Sequence, residues 1–148
     1  MRNQKYMLKI GVLGAGHLGK IHLRLLNEST KYQLIGFYDV NPEYAQKVQT
    51  EFGYSYYSDY QQLLEEVDVI DIVTPTLSHF EMAKKAIEKG KHVFLEKPIT
   101  NTVAEANQLI TLAKKHKVLG QVGHVERFNP AFIAAIPKID SPMFIQPH

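Results

Sequence analysis

Gly14-Ala15-Gly16-His17-Leu18-Gly19 stands directly between an apolar run, Leu8 to Leu13, and a helix-like segment, HLGKIHLRLLNES. No other feature of the chain restricts its fold so strongly. The first glycine permits a tight turn, the second lets the backbone come close to a pyrophosphate, and the third lets helix and strand pack together. The helix start then offers unpaired N–H groups to the phosphates. A G-x-G-x-x-G alone is a weak signal. Its place after a strand and before a helix makes it read as a dinucleotide-binding turn, and the competing reading is a plain strand-to-helix turn.

The rest of the chain repeats the same alternation. Apolar runs at Leu34 to Tyr38, Val67 to Val73, Val93 to Leu95 and Val118 to Val122 predict further strands, with a weaker one near Tyr54 to Tyr57. Their Val, Ile and Leu content predicts burial on both faces, as in a parallel sheet. Helix signals lie between them. Asn41-Pro42 offers an N-cap followed by proline, and Gly53 a stop. Ser78-His79-Phe80-Glu81 and Thr102-Val103-Ala104-Glu105 both fit a capping box. The first leads into a stripe of Phe80, Ala83, Ala86 and Ile87 that ends at Gly90. The second leads into Val103, Ala106, Leu109, Ile110 and Ala113, which are expected to be buried. Asp59 to Glu66 is a shorter helix. The expected architecture is α/β, a doubly wound parallel sheet with helices on both faces.

The length, 148 residues, suits one domain with a real core, and 45% hydrophobic with 22% charged residues is ordinary globular composition. A net charge of +2 without a basic block gives no reason to expect nucleic acid or an anionic membrane. No cysteine is present, which excludes disulfides, thiolate catalysis and cysteine-bound metals and fits a cytoplasmic location. The N-terminal apolar run is short and broken by glycines, unlike a signal peptide. No stretch approaches the roughly 18 apolar residues of a membrane helix.

Asp39 ends the second strand, 20 residues after Gly19. An acid there would accept hydrogen bonds from the adenosine ribose and repel a 2′-phosphate, so NAD is expected over NADP. The alternative is that Asp39 caps the turn into Asn41-Pro42. Thr74-Pro75-Thr76 ends the strand DVIDIVT, and Glu96-Lys97-Pro98 ends the next. Ligands of open α/β sheets lie beyond the carboxyl ends of strands, so these turns share the rim of the glycine loop.

The ordered set GAGHLGKIH, FYDVN, IVTPTLSH, FLEKPIT and GHVERFNPA resembles the N-terminal domain of the Gfo/Idh/MocA oxidoreductases, the glucose–fructose oxidoreductase and inositol dehydrogenase family. The likeness runs from about Leu8 to Ala131. It implies a Rossmann-type domain of an NAD-dependent dehydrogenase acting on a sugar, cyclitol or related alcohol. By that resemblance Lys97 is the catalytic residue, reaching between nicotinamide and substrate to polarise the reacting oxygen. Pro98 would fix the loop, with a cis peptide bond as one means. Where the family often has Asn, this chain has Thr76. Members continue into a substrate domain on an open, largely antiparallel sheet that supplies a catalytic histidine. The resemblance therefore divides the chain into a dinucleotide-binding domain, 1–124, and an exit segment, 125–148, leading towards a domain absent here. The chain alone is expected to be inactive. GHVERFNPA resembles members that act on nucleotide sugars such as UDP-N-acetylhexosamine derivatives. The rival reading is a non-catalytic NAD(H)-binding sensor or partner subunit.

Other candidates carry two readings each. His22 matches a family position and is expected in packing or a supporting hydrogen bond. His79 either lines the nicotinamide side or packs ordinarily at the surface. Arg127 faces a substrate anion or the cofactor carboxamide, or forms a structural bridge. His124 either follows a strand end or starts the exit segment. His92 and His116 are expected to be solvated. No histidine pair has a spacing that favours metal. Tyr54, Tyr56, Tyr57 and Tyr60 fit partial burial better than a stacking surface. Beyond Phe128, Pro130, Pro137, Pro142 and Pro147 break any long helix, yet Phe132, Ile133, Ile136, Met143, Phe144 and Ile145 stay apolar. Such a tail implies a partner surface, with another copy of the chain as the expected partner.

Overall fold

Strands and helices alternate along the chain in the computed structural model, which describes residues 7–139. The order is β1 (Leu8–Leu13), α1 (His17–Asn27), β2 (Tyr32–Tyr38), α2 (Pro42–Phe52), β3 (Tyr56–Tyr57), α3 (Tyr60–Glu66), β4 (Val69–Ile72), α4 (Thr76–Glu88), β5 (His92–Glu96), α5 (Val103–His116) and β6 (Gly120–Gly123). The six strands form one sheet in the order β3-β2-β1-β4-β5-β6, and every neighbouring pair is parallel. The chain winds outwards from β1 to β3, crosses back, and winds outwards again from β4. A crevice therefore opens at the carboxyl ends of β1 and β4.

Alternation along each strand feeds two cores. Leu13, Ile70, Ile72, Val93 and Leu95 pack with Leu63 and Leu64 of α3, Ala83, Ala86 and Ile87 of α4, and Leu109 of α5. On the opposite face Val12 and Phe37 pack with Leu23 of α1 and Ala45 and Val48 of α2. Gly53 and Gly90 follow α2 and α4 with φ of 76° and 74°, a conformation that closes a helix cheaply only with glycine.

Several sequence expectations need correction. The structure starts β2 at Tyr32 and confines β4 to Val69–Ile72. It extends β5 to His92–Glu96 and places β6 at Gly120–Gly123. The Ser78 capping box does not form. Helix α4 begins three residues earlier, with Pro75 as N-cap and Thr76 as its first residue, so the Ser78 hydroxyl lies inside the first turn and bonds Thr74 Oγ1 and Pro75 O, both at 2.8 Å. The Thr102 box does form, with both reciprocal bonds. Its helix, however, leaves Val103 78% and Ile110 47% exposed, because α5 covers the outer strands with Leu109 alone fully buried. His92 is half-buried: it opens β5, and its Nδ1 accepts the Leu119 N–H at 2.9 Å.

After β6 come a 3₁₀ turn (Val125–Phe128), the short helix α6 (Pro130–Ala135) and a second 3₁₀ turn (Ile136–Lys138). Phe128, Phe132, Ile133 and Ile136 are exposed there. Pro142, Met143, Phe144, Ile145 and Pro147 lie outside the described residues.

Candidate active site

The glycine loop leaves β1 with Gly14 at φ 92°, its N–H bonded to Tyr38 O at 2.9 Å. A Cβ on Gly19 would stand 2.0 Å from Gly14 O, so only glycine lets α1 begin this close to the strand. Gly16 differs. A Cβ there would meet nothing within 4 Å. It is the N-cap of α1, with no side-chain cap and no acidic residue in the first turn, where His17 and Leu18 are exposed. The first and third glycines thus serve the fold, and the second faces open space beside uncapped N–H groups. An anionic pyrophosphate fits that environment.

Asp39 follows β2 and fastens this loop. Its Oδ2 accepts the Ala15 N–H at 2.8 Å, and its Oδ1 accepts the Asn41 N–H at 3.0 Å. The Tyr44 hydroxyl donates to Ala15 O at 3.1 Å. The turn-capping role weighed for Asp39 is therefore real. Each carboxylate oxygen keeps a second lone pair for a ligand hydroxyl.

Thr74-Pro75-Thr76 follows β4, with Pro75 as the N-cap of α4. Glu96 closes β5, and the exposed Lys97 and Pro98 follow, joined by a cis peptide bond. Both turns share the carboxyl rim with the glycine loop and Asp39. His79 links them from behind. Its Nε2 lies 2.8 Å from Thr74 O and its Nδ1 3.0 Å from Pro98 O. A neutral imidazole has one N–H and donates to one of the two carbonyls at a time. The ring is 1% exposed, so His79 neither packs at the surface nor presents itself on the open rim. Arg127 stands exposed in the 3₁₀ turn after β6, and His124 occupies the N-cap position of that turn without a side-chain capping bond. Tyr54, Tyr56 and Tyr57 are half-buried. Tyr60 is buried, donates to Met82 O at 2.8 Å, and its phenol is pushed upward in pKa by burial.

A second polar group was not anticipated. Asp71, in the middle of β4, is 3% exposed, and its Oδ2 lies 2.8 Å from His22 Nδ1. His22 also places Nε2 3.6 Å from Glu96 Oε1. An acid inside the otherwise apolar VIDI was the one available signal. Two hollows of about 460 Å³ flank β5 and β6 on opposite faces, and neither touches the glycine loop, Asp39 or Lys97.

Residues 8–124 match the GFO_IDH_MocA family, described as an oxidoreductase family with an NAD-binding Rossmann fold. The chain belongs to that family. It is 38% identical over 124 residues to UDP-N-acetylglucosamine 3-dehydrogenase of Acidithiobacillus ferrooxidans, covering 84% of this chain and 39% of that one. The solved structure of that protein superposes with a TM-score of 0.82 at 35% identity, over 90% of this chain and 44% of the other. The scyllo-inositol 2-dehydrogenase (NAD(+)) of Bacillus subtilis is 36% identical over 141 residues, 93% of this chain and 41% of the relative. The crystal structure of GenD2 from gentamicin A biosynthesis, in complex with NAD, matches with a TM-score of 0.83 at 25% identity, over 89% of this chain and 38% of that chain. This family member therefore spans about two-fifths of the length of such relatives. Among the described residues no helix is long and apolar enough to cross a membrane.

Proposed function

We propose that this chain is the dinucleotide-binding part of an NAD-dependent dehydrogenase that moves hydride between nicotinamide and a hydroxyl or carbonyl of a sugar or nucleotide sugar. One observation carries the reading: the glycine loop, Asp39, the Thr74 turn and the Glu96-Lys97-Pro98 turn converge on one sheet edge around the switch point. NAD, when bound, supplies the carbon that accepts the hydride. Gly16 and the first turn of α1, with His17, Leu18 and Gly19, would hold the pyrophosphate. Asp39 would accept the ribose hydroxyls and disfavour NADP. Thr74, Pro75 and Thr76 would border the nicotinamide, with His79 bracing that turn. Lys97 would set its ammonium against the reacting oxygen, and Arg127 would face an anionic part of the substrate.

The likeness to a UDP-N-acetylglucosamine dehydrogenase supports the nucleotide-sugar option. Two of the relatives named above are dehydrogenases by name, which leaves the sensor reading without support. Residues 1–124 would form the nucleotide domain and 125–148 the exit segment. An acid–base histidine would come from a further domain, so the 148-residue chain would show no turnover by itself. A cytoplasmic homo-oligomer is the expected setting, with the apolar exit segment as contact surface.

Calorimetric titration with NADH, NADPH and ADP-ribose tests the reading. NADH and ADP-ribose should bind, and NADPH more weakly. Failure of all three would remove it. Asp39→Ala should weaken NADH about tenfold, or about 1.4 kcal/mol, and narrow its advantage over NADPH. An unchanged ratio of the two affinities would exclude the ribose role. Gly16→Ala should leave stability nearly unaltered and still weaken NADH, because the added methyl meets only the ligand.

A further inference from the structure

Asp71 occupies a position where a charge is costly. Strand β4 lies between β1 and β5, so a side chain at its centre faces a helix layer, not water. A carboxylate buried there costs several kcal/mol unless a partner offsets it. The partner is His22, which α1 supplies from one turn past Gly19, and Asp71 Oδ1 has no hydrogen-bond partner among the described residues. The second nitrogen of His22 faces Glu96 Oε1, while Glu96 Oε2 accepts the N–H of Lys97 at 3.2 Å. Phe94 walls the imidazole, with ring centroids 6.0 Å apart. Gly123 of β6 makes room for the Glu96 carboxylate, since a Cβ there would stand 2.5 Å from Oε1. Elements α1, β4, β5 and β6 thus build a line, Asp71–His22–Glu96, that ends on the amide of Lys97.

The protonation of this line follows from its neighbours. Burial pulls the His22 pKa down, but the hydrogen bond and charge of Asp71 and the charge of Glu96 outweigh it and raise the pKa above 6.5. Burial raises Asp71, with His22 in partial opposition and Glu96 adding to the rise. The other titratable groups lining the hollow beside His22 are Tyr32 from β2 and His92 from β5, and α1 contributes Leu25 and Leu26.

We propose that His22 is a positioning residue: held as a cation between Asp71 and Glu96, it fixes the Glu96 carboxylate and thereby the turn that presents Lys97, and this hold loosens when His22 loses its proton. The consequence for catalysis rests on the dehydrogenase reading above. The coupling itself does not. Loss of the imidazolium charge frees Oε1, and the carboxylate that accepts the Lys97 amide becomes free to rotate. Lys97 presentation would then depend on pH through a residue that touches neither cofactor nor substrate.

Nuclear magnetic resonance of the 148-residue chain tests this. Histidine-ring and backbone signals are followed over about pH 5 to 9 in the wild type, His22→Gln, Asp71→Asn and Gly123→Ala, with NADH affinity measured on each. In the wild type the Lys97 amide should shift with the His22 midpoint. In His22→Gln that shift should vanish while NADH affinity stays within about twofold. Asp71→Asn should lower the His22 midpoint and the Lys97 midpoint together. Gly123→Ala, which displaces Glu96, should keep the His22 titration and abolish its echo at Lys97. If His22→Gln fails to fold, the last two variants decide. A Lys97 amide indifferent to His22 protonation overturns the proposal, even where NADH binds normally. An intact coupling in a chain that binds no NADH overturns the cofactor reading alone.

Discussion

The two faces of the sheet are finished differently. On the face covered by α3, α4 and α5, one apolar cluster runs from Leu13 through Leu63 and Ile87 to Leu109. On the face covered by α1 and α2, the cluster formed by Val12, Leu23, Phe37, Ala45 and Val48 serves β1 and β2. Beyond it lie Asp71, His22 and Phe94 beside an open hollow. The first face is a core in the ordinary sense. The second leaves a titratable pair where packing would otherwise be apolar, and that pair abuts the Lys97 turn. The contrast separates what holds the domain together from what tunes its rim.

The sharpest way to break this comparison is a pair of leucine deletions. Leu63→Ala, at a fully buried site, should cost about 2–5 kcal/mol in urea unfolding. Leu25→Ala, at a residue 55% exposed on the other face, should cost less than about 1 kcal/mol. Equal losses would mean the faces are equivalent. Next is His22→Leu, which leaves Asp71 buried without its partner and should cost about 1–3 kcal/mol at mildly acidic pH. The folded chain holds the His22 proton more tightly than the unfolded chain. Its contribution is complete below the ordinary histidine value of 6.5 and fades as pH rises through the higher folded value. Asp71 acts in the same direction at lower pH, from 3.8 upward, because burial also raises its pKa. The thermal stability of the wild type should therefore fall from mildly acidic to alkaline pH in a melting experiment, and His22→Leu should flatten that slope. Smaller than the Leu63 and His22 losses is that of Thr102→Ala. It removes the Oγ1 acceptor of the Glu105 N–H, at 3.2 Å, and should cost about 1 kcal/mol.

Much of both helix layers was legible from local pattern. Apolar runs, the Asn41 and Thr102 caps and the glycine stops announce strands and helices through chemistry confined to a few residues. The glycine loop and the Glu96-Lys97-Pro98 turn were legible for the same reason. What escaped depends on distant partners. Ser78 could not reveal that α4 starts at Thr76, because the Thr74 and Pro75 oxygens take its hydroxyl. The burial of His79 follows from its fit between two turns, the farther one 19 residues along at Pro98. Asp71 finds His22 across 49 residues, and only the folded sheet brings them together. Val103 and Ile110 obey the helical period, yet they stay 78% and 47% exposed.

Ala15 is held at both of its polar groups, its N–H by Asp39 and its carbonyl by Tyr44. The loop that would meet a pyrophosphate is thus ordered before any ligand arrives, and association need not include the entropy of freezing it. The same stitch assigns the Ala15 amide to the protein. Phosphate oxygens would then draw their donors from the opening turn of α1, so affinity should follow how firmly that turn is wound rather than how freely the loop can close.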